Sequence, residues 1–172
     1  MTAVATPAEL LQKTRSVWSK IDAAPIEDMR NMRWAAGEAA AEAFTGVRPV
    51  DVDIDSSGFQ SGTPLLELPG RAAAAYLGTY LISLLDGLDL EEKVGFPTDG
   101  STRVHTLTVL TSSRFWSDIA GPYLSPECLG VVGEVADLLV EKREMLALRD
   151  NVVARLERLS RAVQRALGDQ GA

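Results

Sequence analysis

After Pro126 the chain runs to Leu167 without another proline and with glycine only at positions 130 and 133. Ser125-Pro126-Glu127 opens the stretch as a helix start does, with a side-chain N-cap, proline at the first helical position and an acid in the first turn. One uninterrupted helix over 126–167 would be roughly 63 Å long at about 1.5 Å per residue. A compact domain of 172 residues is only about 40 Å across, so that helix overhangs its own domain. Its distal half still keeps an apolar stripe, Met145, Val152, Leu156, Leu159, Val163 and Ala166, spaced like a coiled-coil seam. An overhanging apolar stripe needs a partner, and a continuous helix therefore predicts self-association or a tight hetero-partner.

Charge along the stretch points the same way. The first half is acidic, with Glu127, Glu134, Asp137, Glu141 and Glu144 against Lys142 and Arg143. The second half is basic, with Arg149, Arg155, Arg158, Arg161 and Arg165 against Asp150 and Glu157. Two copies crossing antiparallel would set acid against base twice about one two-fold axis. The same pattern has two plainer readings. Acids near a helix start and arginines near its end complement the macrodipole. A break at Arg149-Asp150-Asn151, with Asp150 capping a new helix that folds back, removes the overhang altogether.

Composition bounds the remainder. The chain is 46% hydrophobic and 24% charged, an ordinary globular profile long enough to bury a core without a metal or disulfide. Its single cysteine, Cys128, cannot form an internal bridge. A net charge of −7 and a pI near 4.8 argue against a general nucleic-acid or anionic-membrane binder. The N-terminus has neither a basic nor an apolar leader region, and the longest uncharged run, 72–85, is shorter than the roughly 20 residues of a membrane span. A cytoplasmic protein is expected, and the preference for arginine and alanine over lysine and isoleucine suggests a bacterial coding sequence.

Thr6-Pro7-Ala8-Glu9 reads as a capping box opening a first helix that buries Trp18. A second helix is expected over about 26–44, stopping before Gly46. From Val50 the period changes to two, with Val50, Val52 and Ile54 alternating with Asp51, Asp53 and Asp55, which predicts a strand. A second strand is expected within Phe59 to Leu68 and a central core helix over 72–85. The Thr- and Val-rich segment from Val94 to Thr111 reads as a β-hairpin, and Ser112-Ser113 cap a short helix carrying Phe115 and Trp116. The expected class is α+β: a small antiparallel sheet of about four strands packed by helices over 1–125, with a long amphipathic C-terminal helix over 126–172, either part of the same domain or an association arm. That order, with the acidic pI, is similar in outline to dimeric bacterial secretion chaperones. The resemblance covers topology alone, and it implies a sheet face or groove that holds an extended client segment.

Linear motifs exclude much standard chemistry. One histidine and one cysteine rule out the zinc-protease helix and every CxxC site, and no P-loop, GxGxxG or GxSxG occurs. Asp51, Asp53 and Asp55 begin like a calcium loop, but Ser56 stands where that loop needs glycine and Gly62 where it needs a bidentate glutamate. They read as a solvated strand face, or as a docking face for a basic partner, with the arginines of the last helix as one internal candidate. His105 reads as a half-exposed sheet residue rather than a general base. Cys128 lies where a helix start lowers a thiol pKa, against the plainer reading of an inert buried cysteine. Arg155, Arg158, Arg161 and Arg165 form the one face suited to phosphates. Phe115, Trp116 and Tyr123 read as an aromatic anchor or as closure of the core.

The expected function is therefore a non-enzymatic protein-binding protein, an adaptor, chaperone-like factor or accessory subunit, that forms a homodimer or holds a protein client and needs no cofactor or metal. The residues expected to carry it are Met145, Val152, Leu156, Leu159 and Val163, flanked by Arg155, Arg158 and Arg165, with Asp51, Asp53 and Asp55 as a second face. The alternatives are a regulatory subunit of a nucleic-acid-processing or defence complex using the arginine-rich end, and a small enzyme without a linear motif.

Overall fold

A computed structural model of the chain describes residues 4–36, 38–54, 64–97 and 101–169, and among them every regular element is helical. The α+β expectation is thereby corrected. The elements are α1 (Pro7–Trp18), a 3-10 turn (Ile26–Met29), α2 (Met32–Ala36), α3 (Glu38–Phe44), a 3-10 turn (Pro49–Asp51) and α4 (Pro64–Glu67). There follow α5 (Gly70–Val94), α6 (Ser101–Leu110), a π-helical turn (Phe115–Ile119), a 3-10 turn (Gly121–Tyr123), α7 (Pro126–Glu141) and α8 (Asp150–Asp169).

α5 is the central helix, buried on every side from Ala72 to Ile82, as its nearly continuous apolar run requires. Gly95, at φ +78°, ends it by donating its N–H back to the Glu91 carbonyl at 2.9 Å. α1 starts at the expected capping box, in which the Thr6 side chain accepts from the Glu9 N–H and the Glu9 carboxylate accepts from the Thr6 N–H. It lies along α5 with Trp18 seated over Gly78, and α7 packs on α1 from the other side. Tyr76 reaches across to α3, its hydroxyl donating to the Phe44 and Val47 carbonyls at 2.9 and 2.8 Å.

The expected strand at 50–54 is a 3-10 turn followed by irregular chain. Pro49 fixes the turn, the Arg48 Nε donates to the Asp51 carboxylate at 2.8 Å, and Thr79 of α5 donates to the Pro49 carbonyl at 2.7 Å. Ile54 is buried all the same, so the alternation records burial against a helix rather than pairing in a sheet. Asp55 and most of the expected second strand lie outside the described residues, and where that strand should end, Pro64–Glu67 is helical.

Of the expected hairpin over 94–111, Val94 closes α5 and Ser101–Leu110 form α6, while 98–100 lie outside the described residues. Thr102, His105, Thr106, Val109 and Leu110 are buried together at helical spacing. The threonines suit a helix here because their hydroxyls donate to carbonyls four residues back, Thr106 to Thr102 at 2.7 Å, Thr108 to Val104 at 2.8 Å and Thr111 to Leu107 at 2.8 Å. Of the helix expected over 26–44, Ile26–Met29 form a 3-10 turn while Met32–Ala36 and Glu38–Phe44 are α-helical. Without strands among the described residues, the outline shared with secretion chaperones is lost.

The C-terminal stretch is two helices rather than one. Turns over 142–147 reverse the chain, with Ala147 at φ +49°, a left-handed conformation that costs an alanine roughly 1–2 kcal/mol. α8 then runs antiparallel along α7, placing Val163 over Gly133 and Leu167 toward Gly130. At about 1.5 Å per residue α7 and α8 are roughly 24 and 30 Å long, so neither overhangs the domain. Burial of Leu156, Leu159 and Val163 offsets the cost of the reversal, since each side chain taken out of water contributes about 1.5–3 kcal/mol.

Candidate groove between the 111–116 turn and α8

Reversal of the chain at 142–149 brings the basic helix alongside the turn that follows α6. Thr111 to Arg114 carry the chain from α6 into the π-helical turn, and the Ser112 Oγ accepts the Phe115 N–H at 3.3 Å. Phe115 then enters the core while Trp116 stays part-exposed, edge-on to Phe115 with ring centroids 5.1 Å apart. The Trp116 indole N–H donates to the Leu110 carbonyl at 2.9 Å, which fixes the ring in place. Between this turn and α8 is an open groove of about 840 Å³, within the size range of ligand sites. Leu66, Leu110, Trp116, Leu159 and Ala162 supply its apolar surface; Thr108, Thr111, Ser112 and Ser113 supply hydroxyls, and Arg114, Arg155 and Arg158 supply charge.

The three arginines are unneutralised. Among the described residues, none of them has a carboxylate within ion-pair distance. Two acids of neighbouring α7 are engaged elsewhere: Glu127 pairs with Lys20 at 3.0 Å and Glu134 with Lys13, both on or just after α1. Within α8, Glu157 lies 3.9 Å from Arg161, outside the groove. The Arg158 Nε donates to the Ala154 carbonyl at 3.2 Å, which orients the side chain and leaves both terminal amino groups as donors. Arg155 and Arg158 are neighbours on one helix face, and Arg114 approaches from the opposite wall.

The residues singled out in the sequence divide into separate regions. Leu156, Leu159 and Val163, at 0%, 8% and 5% exposure, fill the seam between α7 and α8; Val152 is half-buried, and Met145, 50% exposed, belongs to the reversing turn. The surface on which self-association was expected is therefore occupied by the chain's own α7. Arg155 and Arg158 face the groove, and Arg165 is exposed further along α8, its Nε donating to the Arg161 carbonyl at 3.3 Å. Asp51 and Asp53 line a smaller cleft of about 210 Å³ with Arg15, Ser83 and Asp86. Asp51 is paired with Arg48 rather than with the arginines of α8.

His105 is a buried helical residue, 4% exposed, with its ring 4.5 Å from that of Tyr80, and not a half-exposed strand residue. Burial pushes the Cys128 thiol above its ordinary range, a push that outweighs the hydrogen bonds from Ser125. The inert reading fits this environment and the thiolate reading does not. No group of three or more potential metal ligands is found among the described residues. Sequence reasoning missed Arg114 and the hydroxyls beside it, because a hairpin over 94–111 kept them apart from the last helix. The signal that would have found them is the helical spacing of Thr102, His105, Thr106, Val109 and Leu110, which places Arg114 one turn past the end of a helix.

No family model matches the chain, and no curated protein or solved structure is significantly similar to it.

Proposed function

We propose that this is a non-enzymatic protein-binding protein that holds an acidic segment of a partner protein in the groove between the 111–116 turn and α8. The observation that carries this reading is that Arg114, Arg155 and Arg158 line one partly apolar groove, with no carboxylate among the described residues to neutralise them. An acidic segment supplies the missing charge, and its apolar side chains would cover Trp116 and Leu66. Among the described lining residues there is no carboxylate, imidazole or thiol, which favours binding over proton-transfer or nucleophilic catalysis. A net charge of −7 favours a short anionic ligand over a long one, because the rest of the surface repels a polyanion.

Fluorescence anisotropy of the full chain with a labelled peptide of alternating acidic and apolar residues tests the reading, with an Asn/Gln version as control. The acidic peptide is expected to bind in the micromolar range and to weaken as salt rises. Arg155→Gln with Arg158→Gln should weaken it about tenfold or more, and Lys20→Gln, at a separate cleft beside Cys128, should leave it unchanged. Equal binding of both peptides, or no effect of the double substitution, would overturn the proposal. Tighter binding of a single-stranded oligonucleotide with a steep salt dependence would replace it with the nucleic-acid reading.

A further inference from the structure

Resting on that reading, we infer that the groove reads a phosphorylated side chain in the bound segment rather than its carboxylates. Three arginines line one groove, and Arg155 and Arg158 repel one another across a single helical turn. A carboxylate brings one negative charge and two acceptor oxygens. A phosphomonoester brings about −1.5 to −2 at neutral pH and three acceptor oxygens. It can therefore be gripped from both walls at once, by Arg155 and Arg158 on α8 and by Arg114 opposite. Guanidinium forks match that geometry better than ammonium groups do, and arginine is the only charged residue type among the groove's described lining.

The hydroxyls in the same place sharpen the assignment. Thr108 and Thr111 have committed their protons to the Val104 and Leu107 carbonyls. Ser112 instead accepts the Phe115 N–H, so its own O–H proton is left to donate outward. Ser113 makes no side-chain hydrogen bond among the described residues and is exposed. The wall that carries Arg114 thus offers two neutral O–H donors beside one guanidinium, a set suited to a tetrahedral group with three terminal acceptor oxygens. The apolar remainder of the groove, Trp116 with Leu66, gives flanking side chains a surface, which points to a phosphopeptide rather than to free phosphate.

Three peptides of one sequence, bearing phosphoserine, aspartate or serine at the central position, separate the possibilities when titrated against the full chain. The phosphoserine peptide is expected to bind at least about tenfold more tightly than the aspartate peptide. Arg114→Gln should remove most of that preference, and Ser113→Ala should reduce it a few-fold, with thermal unfolding unchanged because both residues are exposed. Equal affinity for the phosphoserine and aspartate peptides would overturn this inference and leave the protein-binding reading standing. Failure of all three peptides would overturn both. Inorganic phosphate binding as tightly as the phosphopeptide would show a small-anion site and overturn the peptide assignment, and preferential binding of a single-stranded oligonucleotide would do the same.

Discussion

Gly78 decides how α1 can lie on α5. A Cβ built there would come within 2.1 to 2.5 Å of three atoms of the Trp18 ring, far inside any real contact, and the ring is fully buried and cannot swing away. Two effects compete on substitution. Alanine in a helix interior is favoured over glycine by about 1 kcal/mol, while overpacking a filled core costs typically about 1–3 kcal/mol. The contact is severe enough for the second to win, so Gly78→Ala should lower the unfolding free energy by about 1–2 kcal/mol in urea denaturation. Gly130 is the control, since its nearest neighbour is a Leu167 methyl at 3.9 Å. Gly130→Ala should stabilise by up to about 1 kcal/mol. Trp18 as a core residue was legible from the spacing of α1, whereas the glycine that admits it was not, because glycine within an alanine-rich helix carries no signal of what lies above it.

α6 and α8 each carry an apolar pattern whose meaning depended on a neighbour. In α6 the β-branched threonines and valines favour a strand on propensity alone, but burial of one helical face against α5 and hydroxyl donation to carbonyls four residues back override that preference. In α8 the stripe of Leu156, Leu159 and Val163 has the same spacing whether its partner is a second chain or α7. The antiparallel pairing of α7 with α8 implies that the stripe contributes to the stability of a single chain. Leu156→Ala should therefore cost about 2–5 kcal/mol, as expected for a fully buried leucine, read as a lower denaturation midpoint independent of protein concentration. A stripe that served only as a dimer seam would give a concentration-dependent midpoint instead.

At the scale of the whole molecule, charge is segregated. Glu127 and Glu134 of α7 pair with Lys20 and Lys13, and Lys142 pairs with Glu92 of α5, leaving the arginines beside the groove with no carboxylate partner among the described residues of an acidic protein. No helix among the described residues is long and apolar enough to cross a membrane. With the α8 stripe filled from within, light scattering should give a mass near 18.5 kDa at both low and high salt; a doubled mass would return the self-association reading. The sequence by itself determined the elements whose stabilising contacts are local: the N-caps and prolines that start α1 and α7 and the apolar run of α5. Tertiary structure alone decided whether 50–54 and 102–110 would pair as strands, where the last helix would turn back, and that Arg114 would meet Arg155 and Arg158. The physical reason is that period and propensity act within one turn or one strand, whereas these outcomes depend on which distant surface buries a face, and a side chain's free energy of burial is the same whatever covers it.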